Sequence, residues 1–162
     1  MKLVSTFDYR NARSIIRARY PNTLESIESL LSDPKRKLDL ATKQGAKQRG
    51  LSSQLQKMFL DLGKGWQKEQ PCLSAEGLKY DLTQSDLPVE IEIGHQRVVY
   101  ADFFKFMADH SNGQIHAALM IVTDDPNAFG HDWHCSLEST KRKIESISRI
   151  YLVPTLLLGI SP

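Results

Sequence analysis

Cysteine is scarce in this sequence. Only Cys72 and Cys135 occur; they form no Cys-x-x-Cys pair and no His-rich cluster surrounds them. That argues against a structural zinc site, and nothing asks for a disulfide. Long apolar runs are also missing: no stretch approaches the ~20 residues that span a bilayer, so no membrane partner is expected. Met1 to Arg10 lacks the apolar centre of a signal peptide. Together these absences point to a reducing cytoplasm. Charge of one sign is not in excess either, with a formal net charge of +2. The overall charge therefore does not announce a nucleic-acid partner. Internal repeats, low-complexity tracts and linkers are absent as well.

What is present is an ordinary globular balance, 41% hydrophobic and 25% charged over 162 residues. That length suits a single domain with one core. Positive charge gathers locally: Lys35, Arg36, Lys37, Lys43, Lys47 and Arg49 are opposed only by Asp39. Taken alone, such a run is a solvated face.

The N-terminal third has helical spacing. Asn22-Thr23-Leu24-Glu25 resembles a capping box, followed by Leu24, Ile27, Leu30 and Leu31 on one stripe, with Asp33-Pro34 as the stop. Leu51, Leu55, Met58, Phe59 and Leu62 mark a second helix. The period then changes. Tyr80 to Thr83 and Val89 to Ile93 are strand-like and suggest a hairpin. Asp102 to Ala108 is expected as a helix with Phe103, Phe104, Phe106 and Met107 as core. Ala117 to Val122 is a buried strand, Thr123 to Trp133 a loop, Leu137 to Ser148 a helix and Leu152 to Leu158 a last strand. The order predicts a small α/β sheet with helices on both faces.

Val89-Glu90-Ile91-Glu92-Ile93 carries the strongest chemical signal. Strand side chains alternate, so the three apolar residues share one face and the two glutamates the other, ~7 Å apart. Asp81 lies nine positions before Glu90, and a hairpin returns it beside that residue. Three acids at one spot repel one another unless a cation sits between them. Magnesium suits oxygen ligands and phosphate substrates, and it lowers the pKa of a bound water. An amphipathic strand whose glutamates merely face water is the other reading of this segment.

The stretch from Trp66 to Ile160 resembles the BglII and BamHI type of restriction endonuclease, within the PD-(D/E)xK nuclease superfamily. Three pieces carry the resemblance: Trp66-Gln67-Lys68-Glu69-Gln70-Pro71, the acids Asp81 with Leu87-Pro88-Val89-Glu90-Ile91-Glu92-Ile93, and the tail Leu137 to Gly159. The resemblance implies a restriction-endonuclease-like core, a small mixed sheet flanked by helices. It makes residues 1–162 one nuclease domain, helical to about 65 and catalytic beyond. It also implies Mg²⁺-dependent hydrolysis of double-stranded DNA. Asp81 and Glu90 would hold the metal, with the Ile91 carbonyl as a further ligand. Glu92 stands where many relatives carry Lys, and it would orient or deprotonate the attacking water. Glu69 falls at an upstream acid position and would support metal or water. Relatives continue past the last core strand into a region that grips and reads DNA, whereas this sequence runs to Pro162. The resemblance therefore carries cleavage further than sequence-specific recognition.

His95, Gln96 and Arg97 follow the acidic strand, and Gln and Arg suit base edges in the major groove. Asn127 and His131 belong to a loop with His134. That loop lacks zinc-ligand spacing and is expected to face DNA, as are the basic residues from Lys35 to Arg49. A homodimer is expected, because cutting both strands symmetrically needs two sites. The resemblance implies that the helices at Asp102 to His110 and Leu137 to Ser148 contribute to the dimer contact. The alternatives are a non-catalytic DNA-binding or interaction protein keeping the fold, and a repair or defence nuclease without sequence specificity. The presence of all three acids favours the enzyme.

Overall fold

The computed structural model describes residues 1–40, 50–94, 96–130 and 132–162. Its described residues form a mixed sheet with helices on both faces, as the sequence order predicts. The elements are β1 (Lys2–Tyr9), α1 (Ala12–Arg19), α2 (Thr23–Leu31), α3 (Leu51–Asp61), β2 (Trp66–Pro71), β3 (Lys79–Gln84), β4 (Leu87–Glu92), α4 (Val99–Ser111), β5 (Ala118–Thr123), α5 (Leu137–Ser146) and β6 (Thr155–Ser161). The strand order is β1-β6-β5-β4-β3-β2. β4, β5 and β6 run parallel, while β1, β3 and β2 pair antiparallel with their neighbours.

Burial follows from composition. Ala118 to Thr123 is buried at every position, because a central parallel strand has helices over both faces. One apolar cluster joins α1, α2 and α3 to the sheet through Ile16, Leu24, Ile27, Leu55 and Phe59 against Val89, Ile91, Leu119, Ile121 and Leu158. A second lies on the opposite face, where Phe103 and Phe106 of α4 and Ile144 of α5 pack against Ala118, Met120, Val122 and Leu157.

The structure departs from the sequence reading in two places and adds detail in two others. The N-terminal third opens with β1, an edge strand that alternates exposed and half-buried residues, and continues into α1. Neither has a long apolar stripe, so helical periodicity passed over both. Trp66–Pro71 is a strand, β2, paired with β3. Asn22 is no capping box: its backbone is left-handed and its side chain makes no cap hydrogen bond, while Glu25 pairs with Arg17 instead. The capping box belongs to α5, where Ser136 and Ser139 bond reciprocally. Finally, the loop after β5 contains a 3-10 turn, Pro126–Phe129.

Two features of the hairpin set up the site. β3 and β4 join through the two-residue turn Ser85-Asp86, with Ser85 at φ 54°, shorter than the loop expected from sequence. The register Leu82↔Val89, Thr83↔Pro88 and Gln84↔Leu87 then brings Asp81 opposite Glu90 one step further along. Pro88 is tolerated because the β4–β5 pairing begins only at Val89.

Candidate active site

Glu90 and Glu92 lie on the α4 side of β4, while Val89, Ile91 and Ile93 pack with the α1–α3 cluster. The acid face is therefore not a solvent face. Glu90 is 3% exposed, covered by α4. At Asp81 the alternation of β3 breaks: Tyr80 packs in the α4–α5 cluster and Leu82 in the opposite one. The local twist gives the Asp81 carboxylate partners from several elements. Oδ2 accepts the Ile91 N–H at 2.8 Å, and Oδ1 accepts Gln56 Nε2 of α3 at 2.9 Å. The Asp81 N–H in turn donates to Glu90 Oε2 at 3.4 Å. Glu92 Oε1 accepts the Gly94 N–H at 2.9 Å.

Two further charged residues come from α4. Lys105 Nζ forms an ion pair with Glu90 Oε1 and another with Asp102 Oδ1 at 2.9 Å, and donates to the Lys79 carbonyl at 2.9 Å. The Lys105 side chain is 9% exposed and that of Asp102 6%. Neither residue was singled out from sequence. A signal existed, since Asp102 and Lys105 are three apart and flank Phe103 and Phe106. That spacing puts a charged pair on a buried helical face.

Electrostatics follow from this crowding. Burial pushes the Asp81 carboxyl upward against its hydrogen bonds and the Lys105 charge. Burial, then the Asp102 charge, pushes Glu90 well above the usual carboxylate range, opposed by Lys105. Glu92 rises to about 7 through burial and the Asp102 charge. Burial pulls the Lys105 ammonium down, but Glu90 and Asp102 outweigh it and the net direction is up.

Of the other expected site residues, Glu69 neighbours this cluster by strand register. Glu69 stands opposite Asp81 across the β2–β3 pair, between the Lys68↔Leu82 and Gln70↔Tyr80 pairs. It is exposed, at φ 53°, and among the described residues its carboxylate makes no hydrogen bond or ion pair. Lys35 and Lys37 are exposed, and half-buried Arg36 pairs with Asp33. Gln96 is half-buried, its N–H donating to the Trp133 carbonyl at 3.4 Å; Arg97 is exposed. Asn127 is exposed on the 3-10 turn. Lys43, Lys47, Arg49, His95 and His131 lie outside the described residues.

The site is thus a paired-acid hairpin in a mixed sheet with a buried lysine from the covering helix, and comparison with known proteins identifies the scaffold. Residues 4–160 match the model of the restriction endonuclease BglII/BglIII family. The chain belongs to that family. Membership makes it a type II deoxyribonuclease of the BglII kind. Among solved structures it is similar to the crystal structure of restriction endonuclease BglII complexed with a DNA 16-mer. That likeness has a TM-score of 0.72 at 20% identity, and covers 99% of this chain and 76% of the other. No curated protein matches. The shared fold is the mixed sheet flanked by helices described above.

The residues fit the divalent ion that such nucleases use. Among the described residues no three Asp, Glu, His or Cys side chains form a ready metal cage. Magnesium does not ask for one: it binds through one or two carboxylates and keeps several waters. Asp81 and Glu90 would supply those carboxylates. The Ile91 carbonyl already accepts Ser52 Oγ at 2.9 Å and retains a second lone pair. No helix among the described residues is long and apolar enough to cross a membrane.

Proposed function

We propose that this BglII-type endonuclease hydrolyses double-stranded DNA with Mg²⁺ held by Asp81 and Glu90 and by the Ile91 carbonyl. The observation that carries the reading is the facing pair Asp81 and Glu90, tied together by the Asp81 and Ile91 N–H groups. Bound there, the ion would polarise the scissile phosphate and acidify a water. Glu92 accepts the proton of that water. Its carboxyl, pushed to about 7, suits a general base near neutral pH. Glu69, opposite Asp81 across the β2–β3 pair but exposed, is an outer support for metal or water. Lys35, Arg36 and Lys37, with Lys43, Lys47 and Arg49, form the basic approach to the phosphate backbone. Gln96 and Arg97 are the proposed contacts to base edges and Asn127 to the duplex; His95 and His131, outside the described residues, join them on sequence grounds alone.

The active form is a homodimer, one acidic cluster per strand. Phe104 (54% exposed), Ile150 (67%) and Leu152 (51%) present an apolar face beside α4, and a second copy of the chain covers it. Residues 1–162 act as one nuclease domain, in the cytoplasm, where the free and buried Cys72 and Cys135 stay reduced.

The test is incubation of plasmid with purified protein and Mg²⁺, with and without EDTA, alongside Asp81→Ala. Discrete bands that vanish with EDTA and in the variant are expected. Cleavage by Asp81→Ala equal to wild type overturns the site, and a smear in place of bands selects the non-specific nuclease.

A further inference from the structure

Lys105 enters the acidic cluster from the covering helix, not from the acid strand, and its surroundings are complete. Its ammonium forms ion pairs with Glu90 Oε1 and Asp102 Oδ1 and donates a hydrogen bond to the Lys79 carbonyl. With its side chain only 9% exposed and held between two carboxylates, Lys105 does not act on the substrate itself. What it does is divide the Glu90 carboxylate. Oε1 is held by the ammonium, while Oε2 is turned toward Asp81, whose N–H it accepts. Asp81 is anchored in parallel fashion by the Ile91 N–H and Gln56. Asp102 keeps Lys105 in place one helical turn away, and its own Oδ2 is buried without a hydrogen-bond partner among the described residues. A buried acid left so exposed electrostatically is tolerable only while the ammonium stays.

We propose that Lys105 is the positioning residue of this nuclease site, fixing the Glu90 carboxylate so that Oε2 is presented to the divalent ion beside Asp81, with Asp102 as the anchor of Lys105. This role rests on the magnesium reading above. Buried ammonium and carboxylate form a rigid unit under α4, so the cost of orienting Glu90 is met on folding, before ion or DNA arrives.

Lys105→Met, Lys105→Arg and Asp102→Asn in the full chain test it, with three readouts: Mn²⁺ affinity by calorimetry, single-turnover cleavage of a duplex, and duplex binding without metal. Lys105→Met is expected to lower Mn²⁺ affinity and cleavage rate by about 10- to 100-fold, with duplex binding unchanged. Lys105→Arg, which keeps the charge, restores part of both. In a Glu90→Gln background, Lys105→Met causes no further loss of Mn²⁺ affinity, because its effect passes through Glu90. Mn²⁺ affinity and rate in Lys105→Met within about twofold of wild type overturn the proposal, as does an equal loss in the Glu90→Gln background. If thermal melting shows that Lys105→Met does not fold, Asp102→Asn decides: weakened Mn²⁺ binding supports the role and unchanged binding overturns it. Wild-type protein that binds no Mn²⁺ and cleaves nothing overturns the magnesium reading itself, and this role with it.

Discussion

Gly94 shows how narrowly the acidic cluster is set. A Cβ added there would lie 2.7 Å from Glu92 Oε1, inside any ordinary contact. The obstacle is the end of a flexible side chain, so the backbone stays and the carboxylate turns away. Gly94→Ala should therefore leave the melting temperature nearly unchanged. Loss of an aligned base lowers cleavage by about tenfold or more, measured as single-turnover rate at saturating Mg²⁺. An unchanged rate would remove Glu92 from the chemistry. Asp81→Ala and Glu90→Ala differ in kind. Each removes a proposed ligand, and each is expected to abolish cleavage while circular dichroism stays native. For Asp81→Ala relief of repulsion in the metal-free state accompanies the loss; for Glu90→Ala the stranded Lys105 opposes that relief.

At the scale of elements, α4 has two faces with separate tasks. Phe103, Phe106, Asp102 and Lys105 face inward, and Phe104 with Tyr100 faces out. The sequence reading assigned Phe103, Phe104, Phe106 and Met107 together to the core. Structure keeps Phe103 and Phe106 buried, leaves Met107 half-buried and exposes Phe104. An exposed apolar patch of this kind suits the proposed contact with a second copy. Phe104→Glu should leave the monomer folded and shift the protein from dimer to monomer in light scattering with a duplex present. Double-strand cleavage then gives way to nicking, because one acidic cluster serves one strand. A Phe104→Glu protein that remains dimeric would place the contact elsewhere.

Two behaviours belong to the whole molecule. The first is pH dependence. Asp81, Glu90 and Glu92 all hold their protons to higher pH than free carboxylates. A protonated carboxyl is not a metal ligand, so protons and Mg²⁺ compete. Lowering pH from about 8 to about 6 crosses the Glu92 value of about 7. The single-turnover rate at saturating Mg²⁺ should fall across that window as the Glu92 base takes up its proton, while binding of the ion to Asp81 and Glu90 should release protons in calorimetry. A rate that is flat from about pH 8 to about pH 6 would remove Glu92 from the chemistry, and metal binding without proton release would place the ion away from Asp81 and Glu90. The second is salt. With a net charge of only +2, attraction to DNA is expected from local charge, and the proposed contacts are the basic residues beginning at Lys35. Duplex affinity should fall linearly in log–log form with added salt, with a slope of about −0.9 per neutralised phosphate. Replacing Lys35 and Lys37 with Ala should lower that slope by up to about two units. A flat salt dependence counts against phosphate contacts.

Alternation on β4 and the nine-residue step from Asp81 to Glu90 sufficed to predict the hairpin and its acids, because strand period and turn closure are local. The apolar runs of β5 and β6 were legible for the same reason. β1, α1 and β2 were not. Each is short or edge-like, and its place depends on a partner strand far along the chain, as β1 depends on β6. Nor does periodicity show that α4 lies over the acid face, making Glu90 buried where a solvent face was an open reading. Lys105 and Asp102 join the cluster only through that packing. The sequence by itself determined which acids share a strand face. Tertiary structure alone decided which cation faces them, because a helix reports its own buried side but not what lies beneath it.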